Sequence, residues 1–162
     1  MLRRWAETSH RRKAARAALA LREWLAAARA VEQSCSRPLA ASDLVPDAAV
    51  LLIPVDRQLP QLRLHAAVLR GPLRRRDRAL AARIGEATNL TFRLRNQTAT
   101  FLLRAQDARR PGAARPGARS PQEARDRAHD QARAVAHELG ARLEALESDV
   151  RTLLQIWEDE AR

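Results

Sequence analysis

Residues Ala132–Trp157 read ARAVAHELGARLEALESDVRTLLQIW, and this stretch decides the fold. Leu139, Leu143, Leu146, Val150, Leu153 and Trp157 recur at steps of 4-3-4-3-4, and Ala132 and Val135 continue the series backwards. Steps of three and four return to one face of a 3.6-residue helix, whereas a strand repeats every second residue. Apart from Leu154 and Ile156 the positions between are polar or small, so one stripe must leave water while the opposite side stays wet. The 4-4 step from Val135 through Leu139 to Leu143 is a stutter, which locally unwinds a supercoil. Just upstream, Ser120-Pro121-Gln122-Glu123 puts a hydroxyl at the N-cap, Pro at the first helical position and Glu at the third. An acidic, coiled-coil-like helix is therefore predicted over 121–162.

A single stripe needs facing stripes, and the rest of the chain supplies them. In the first segment Leu21, Trp24, Ala28, Val31 and Cys35 step 3-4-3-4, which predicts a helix over about 2–35. Ser36-Arg37-Pro38 is expected to end it, because proline disfavours helical geometry in the residue before it. Pro38, Pro46, Pro54 and Pro60 then suggest a connector holding one short buried helix near 47–53. Asp56 is expected to cap a helix over 57–70, striped by Leu59, Leu62, Ala66 and Leu69 and stopped by Gly71-Pro72. Pro72 would open a third helix over 72–108, with Leu80, Ile84, Ala87, Thr91, Leu94, Thr98, Phe101 and Ala105 as its stripe. Leu90, Phe92 and Leu94 also alternate as a strand does, but helical flanks without a turn favour helix.

Segment 109–120 carries the near-repeat Arg110-Pro111-Gly112-Ala113 and Arg115-Pro116-Gly117-Ala118 with no large apolar residue, and is expected to be a flexible, disordered basic loop. The fold predicted is all-α: an antiparallel helical bundle of three long helices and one short one. A basic helical region, 1–108, is joined by the linker 109–120 to an acidic helix, 121–162, that packs on the same bundle.

Composition bounds the partners. The chain has 162 residues, 46% of them hydrophobic, yet its only aromatics are Trp5, Trp24, Trp157, Phe92 and Phe101. Alanine supplies much of the apolar content; it favours helix but has little area to bury. Such a chain gains from a partner that covers another face, and Trp5 and Leu25 lie off the main stripes. Only Lys13 among the 30 basic residues is lysine. A GC-rich genome enriches Arg and Ala together, so composition alone does not prove nucleic-acid binding. The lone cysteine, Cys35, allows no intramolecular disulfide and reads as a small buried residue at a helix end. No apolar run approaches the ~20 residues of a membrane span. The N-terminus lacks the apolar core of a signal peptide. Its Arg- and Ala-rich start resembles an organelle transit peptide, against which Glu7 and Glu23 stand. An intracellular protein, cytoplasmic or nuclear, is expected, with organelle targeting by the N-terminus left open.

Charge is divided along the chain. Residues 1–121 carry 24 basic and 9 acidic groups, and residues 122–162 carry 6 and 10, giving net charges of +15 and −4. One reading has the last helix neutralise the others through exposed pairs; the other turns the basic part toward a polyanion.

Leu80–Leu94 partly resembles a helix-turn-helix: Ala81, Gly85 and Leu94 fit, whereas Glu86 and Thr91 depart from the apolar pattern. A glycine inside one long helix is the plainer expectation. Phe92, beside Arg93 and Arg95, is the one hint of an aromatic platform for single strands. Asp126, His129, Asp130, His137 and Glu138 form the one ligand-rich cluster, but it holds neither the pair of Glu-x-x-His motifs of a di-iron bundle nor a zincin spacing. Asn89-Leu90-Thr91 and Asn96-Gln97-Thr98 match a glycosylation pattern by chance, and the capping role accounts for Ser120-Pro121. Five scattered glycines build no phosphate-cradling loop, and no nucleophile elbow or carboxylate pair is present. A non-enzyme with no metal and no cofactor is expected.

Two functional classes remain. The first is a helical interaction or scaffold subunit that joins itself or another helical protein through Trp24, Leu143, Leu146, Val150, Leu153 and Trp157. The alternative is a nucleic-acid-binding protein using Arg11, Arg12, Lys13, Arg74, Arg75, Arg76 and Arg78. A basic helix lying on an anionic membrane ranks last, because charges surround too much of the first helix for a clean apolar face.

Overall fold

A computed structural model describes residues 2–40, 48–109 and 120–162. The described residues form four helices and no strand: α1 (Leu2–Ala40), α2 (Ala48–Arg76), α3 (Arg78–Ala108) and α4 (Pro121–Ala161). Residues 41–47 of the expected connector and 110–119 of the expected loop lie outside the described residues, as does the Trp5 side chain.

α4 follows its stripe. Ala132, Val135, Leu139, Leu143, Leu146, Val150, Leu153 and Trp157 are all buried, and Ser120 caps the helix by accepting a 3.2 Å bond from the Gln122 amide. The α3 stripe is also buried throughout, threonines included. Two of the three buried threonines there find local acceptors, as helical hydroxyls can, whereas the Thr98 hydroxyl has no hydrogen-bond partner among the described residues. Thr88 donates to the Ile84 carbonyl at 2.8 Å and accepts from the Trp24 indole at 2.9 Å, and Thr91 donates to the Thr88 carbonyl at 2.6 Å. Gly85 sits mid-helix with open space where a Cβ would stand, so the turn that a helix-turn-helix requires there is absent.

Three expected boundaries are corrected. α1 runs through Pro38 to Ala40. Proline in a helix interior costs about 3 kcal/mol. Here Leu39 is buried, and the Leu39 carbonyl, unpartnered within a helix that is ending, accepts from His129 Nε2 at 2.9 Å. His129 also stands edge-on to Phe101, with ring centroids 5.2 Å apart. Contacts to α3 and α4 thus hold the last turn of α1 in place.

α2 is one helix across Pro54, Pro60, Gly71 and Pro72, where a connector and a short helix were expected. Pro54 and Pro60 are exposed, as are Val50 and Asp56, whose carbonyls lose their amide partners, so water can replace those bonds. Meanwhile Leu52, Val55, Leu59, Leu62, Leu69 and Leu73 are buried on the other side. Asp56 therefore caps nothing; its carboxylate accepts two bonds from Arg95, at 2.8 and 2.9 Å.

The break falls at Asp77 rather than Gly71-Pro72. Asp77 alone joins α2 to α3, and its carboxylate accepts from the Leu80 amide at 2.9 Å as an N-cap.

α1 packs on α2, α3 and α4, and α3 packs on α2 and α4. The cross-section is therefore a rhombus. α1 and α3 form its short diagonal, tied by the Trp24–Thr88 bond, and α2 and α4 stand across its long one. α2 and α4 touch at one end of the bundle, where Arg76 pairs with Glu160. Cys35 lies on the short diagonal, fully buried. Burial pushes its thiol from 9.0 up to about 11, against the opposing pull of the Thr98 hydroxyl.

Candidate functional site

The rhombus decides which arginines are neutralised. α4 touches α1 and α3 along its length, and its carboxylates bond their arginines. Glu158 pairs with Arg22, Glu147 with Arg29 at 3.4 Å, and Asp149 with Arg83 at 2.6 Å. Arg142 of α4 reaches the other way to Glu86 of α3. These pairs are largely exposed and worth about 0–1 kcal/mol each. Their larger effect is on the distribution of charge. α2 lies beyond reach of these acids except at its last residue, Arg76.

What α4 cannot neutralise gathers in one trough. Between α2 and the start of α3 lies a cavity of about 960 Å³ walled by Arg63, Arg70, Arg74, Arg75 and Arg78. No carboxylate lines it, and none of these five arginines makes an ion pair among the described residues. Small residues line it between the arginines, Ala66, Ala67, Ala81, Ala82 and Gly85, together with the buried Leu73, Ile84 and Thr88. At the far end the Arg63 guanidinium lies 4.0 Å above the centre of the Phe92 ring, and Asn89 stands on the wall.

A second hollow of about 460 Å³ adjoins the first through Arg75. Lys13 and Arg16 of α1 line it with Arg75 and Arg76. The basic clusters at 11–13 and 74–78, some sixty residues apart in sequence, thus share one end of the bundle. Arg11 is turned aside there, donating to the Arg162 carbonyl at 2.7 Å, while Arg12 is exposed. Of the basic residues singled out from sequence, Arg12, Lys13, Arg74, Arg75 and Arg78 remain available to a ligand, whereas Arg76 is already paired with Glu160.

The residues expected to contact a partner lie elsewhere. Trp24, Leu143, Leu146, Val150, Leu153 and Trp157 are all buried in the chain's own core. A partner reaches them only by opening the bundle. Among the described residues no group of three or more His, Cys, Asp or Glu is placed to hold a metal ion. His129 is engaged by Leu39 and Phe101, and Asp126 accepts from the Gln122 side chain at 3.3 Å. No described helix is long and apolar enough to cross a membrane.

No known protein family, curated protein or solved structure matches this chain.

Sequence reasoning missed Arg63 and Arg70 as members of the basic surface. It also paired Phe92 with Arg93 and Arg95 rather than with Arg63. Arg63 and Phe92 are 29 residues apart, so only the α2–α3 packing reveals their contact. A heptad reading of α2 carries the missing signal: Arg63, Arg70 and Arg74 step 7-4 along one helix face.

Proposed function

We propose that this chain is a non-enzymatic, antiparallel helical bundle that binds a polyanion, the phosphate backbone of a nucleic acid, along the α2–α3 arginine trough. The observation that carries the reading is five arginines around one cavity with no carboxylate in its lining and, among the described residues, no ion pair to hold them. Like charges crowded this way repel one another, and a polyanion relieves that repulsion while releasing its own counterions. Lys13 and Arg16 extend the track around the bundle's end. An antiparallel course is supported by the pairs that join opposite helix ends, Arg11 with Arg162 and Leu39 with His129. A partner of this kind belongs inside the cell, in cytoplasm or nucleus.

Retention on an immobilised nucleic acid tests the reading. Binding is expected to fall steeply with salt, and the triple variant Arg74→Ala, Arg75→Ala, Arg78→Ala is expected to reduce the log K against log salt slope by about 2. Equal retention of parent and variant sinks it.

The interaction-subunit reading keeps one observation in its favour on a different face. Leu19 of α1 is 58% exposed, one turn before Arg22 of the Arg22–Glu158 pair. If self-association uses this spot, Leu19→Glu leaves helicity intact and shifts the light-scattering mass to the monomer.

A further inference from the structure

The trough has a shape as well as a charge, and the shape selects among polyanions. Its lining runs from Arg63 to Arg75 on α2 and from Arg78 to Phe92 on α3. At 1.5 Å per residue those walls are about 20 Å long. α2 and α3 pack on each other, so the trough is a groove along their seam, and a duplex, whose major groove alone is about 12 Å wide, meets only its rims.

The two ends of the trough differ in chemistry. Arg70, Arg74, Arg75 and Arg78 offer charge alone. At the other end the guanidinium carbon of the exposed Arg63 lies 4.0 Å over the centre of the half-buried Phe92 ring, which holds the cation in place. A flat, supported cation stacks well on an aromatic base, which every nucleotide carries. Asn89, exposed on the same wall, offers an amide to a base edge.

Resting on the polyanion reading above, we infer that the trough takes a single-stranded nucleic acid of about four nucleotides, with phosphates along Arg70–Arg78 and a base stacked on the Arg63–Phe92 pair. Arg63 is then a stacking residue rather than one more positive charge. Its replacement by lysine, which keeps the charge and loses the plane, is the informative change.

Fluorescence anisotropy of the full chain tests this with four labelled probes: an octamer of deoxythymidine, one of uridine, an abasic octamer of the same backbone, and an eight-base-pair duplex. The two single strands are expected to bind at least ~10-fold more tightly than the duplex or the abasic strand. Arg63→Lys is expected to weaken both single strands about 10-fold, leaving the abasic strand and the salt slope unchanged. Ala82→Glu, an exposed lining position in a helix that tolerates Glu, is expected to remove binding of every single-stranded probe without loss of helicity. A duplex bound as tightly as the single strands, or an Arg63→Lys variant indistinguishable from the parent, overturns the inference and leaves the polyanion reading standing. Absence of binding to every probe overturns both. A difference between the thymidine and uridine strands, which differ in the 2′-hydroxyl and the C5 methyl, leaves the stacking inference supported.

Discussion

α2 and α4 stand across the long diagonal of the same bundle and carry opposite charge. α2 holds six arginines and one carboxylate, a net +5, and α4 holds five arginines and ten carboxylates, a net −5. Both bury a leucine stripe, so the hydrophobic term does not distinguish them. Position does. α4 touches α1 and α3, and spends its carboxylates on their arginines. α2 touches the same two helices from the other side, and its own arginines receive almost nothing. The sequence-level division of +15 against −4 thus becomes a field across the molecule. Its acidic edge is partly quenched and its basic edge is open. A polyanion approaching from any side is turned toward α2.

The largest effect expected bears on whether the two edges are held equally. Leu69→Ala in α2 and Leu143→Ala in α4 each remove a fully buried side chain, and each is expected to cost about 2–5 kcal/mol in chemical denaturation. A much smaller loss at Leu69 breaks the symmetry and marks α2 as the looser edge.

The short diagonal offers a smaller, pH-dependent test. The folded state raises the Cys35 pKa from 9.0 to about 11. The unfolded chain therefore ionises first. Cys35's contribution to stability is fully present below pH 9 and is lost as pH rises through 11, on the order of 2–3 kcal/mol in all. Cys35→Ala is expected to abolish this alkaline decline while the long-diagonal charges stay as they are. A decline that persists unchanged in the variant assigns it to the arginine pairs instead.

The smallest effect concerns the comparison itself. Changing Glu147, Glu158 and Glu160 to Gln, with Asp149→Asn, frees Arg29, Arg22, Arg76 and Arg83. Because these are exposed or half-exposed pairs, stability should drop by no more than about 1 kcal/mol per pair. Polyanion affinity should rise, with a steeper salt slope. Unchanged affinity means that the acidic edge does not restrain binding from across the bundle.

Much of this architecture is legible in the sequence, for a definite reason. Where a stripe of large residues repeats at 3-4 steps, as in Leu139–Trp157 or Leu80–Ala105, periodicity alone places the buried face. The signals that misled were local. Pro38, Pro54, Pro60 and Pro72 each weaken a helix at one peptide group, and a rule about single residues reads each as a stop. Whether the helix continues depends on which side of it the missing bond falls and on what packs beyond, as His129 does at the end of α1. Asp77 was a readable cap, overshadowed by the adjacent Gly71-Pro72. The trough was legible only in part. Arg74–Arg78 stand together in the chain, but the addition of Arg63, the stacking on Phe92 and the loss of Arg76 to Glu160 all arise from contacts between helices.

The single-residue joint at Asp77 has a mechanical consequence. With one residue between them, α2 and α3 cannot slide along or swing away from each other without unwinding the hairpin's own bend. The two walls facing the trough therefore keep their spacing whether or not anything lies between them. Whatever settles there meets a slot already cut to width, and the ordering that a loop-built cradle would undergo on contact was completed when the chain folded.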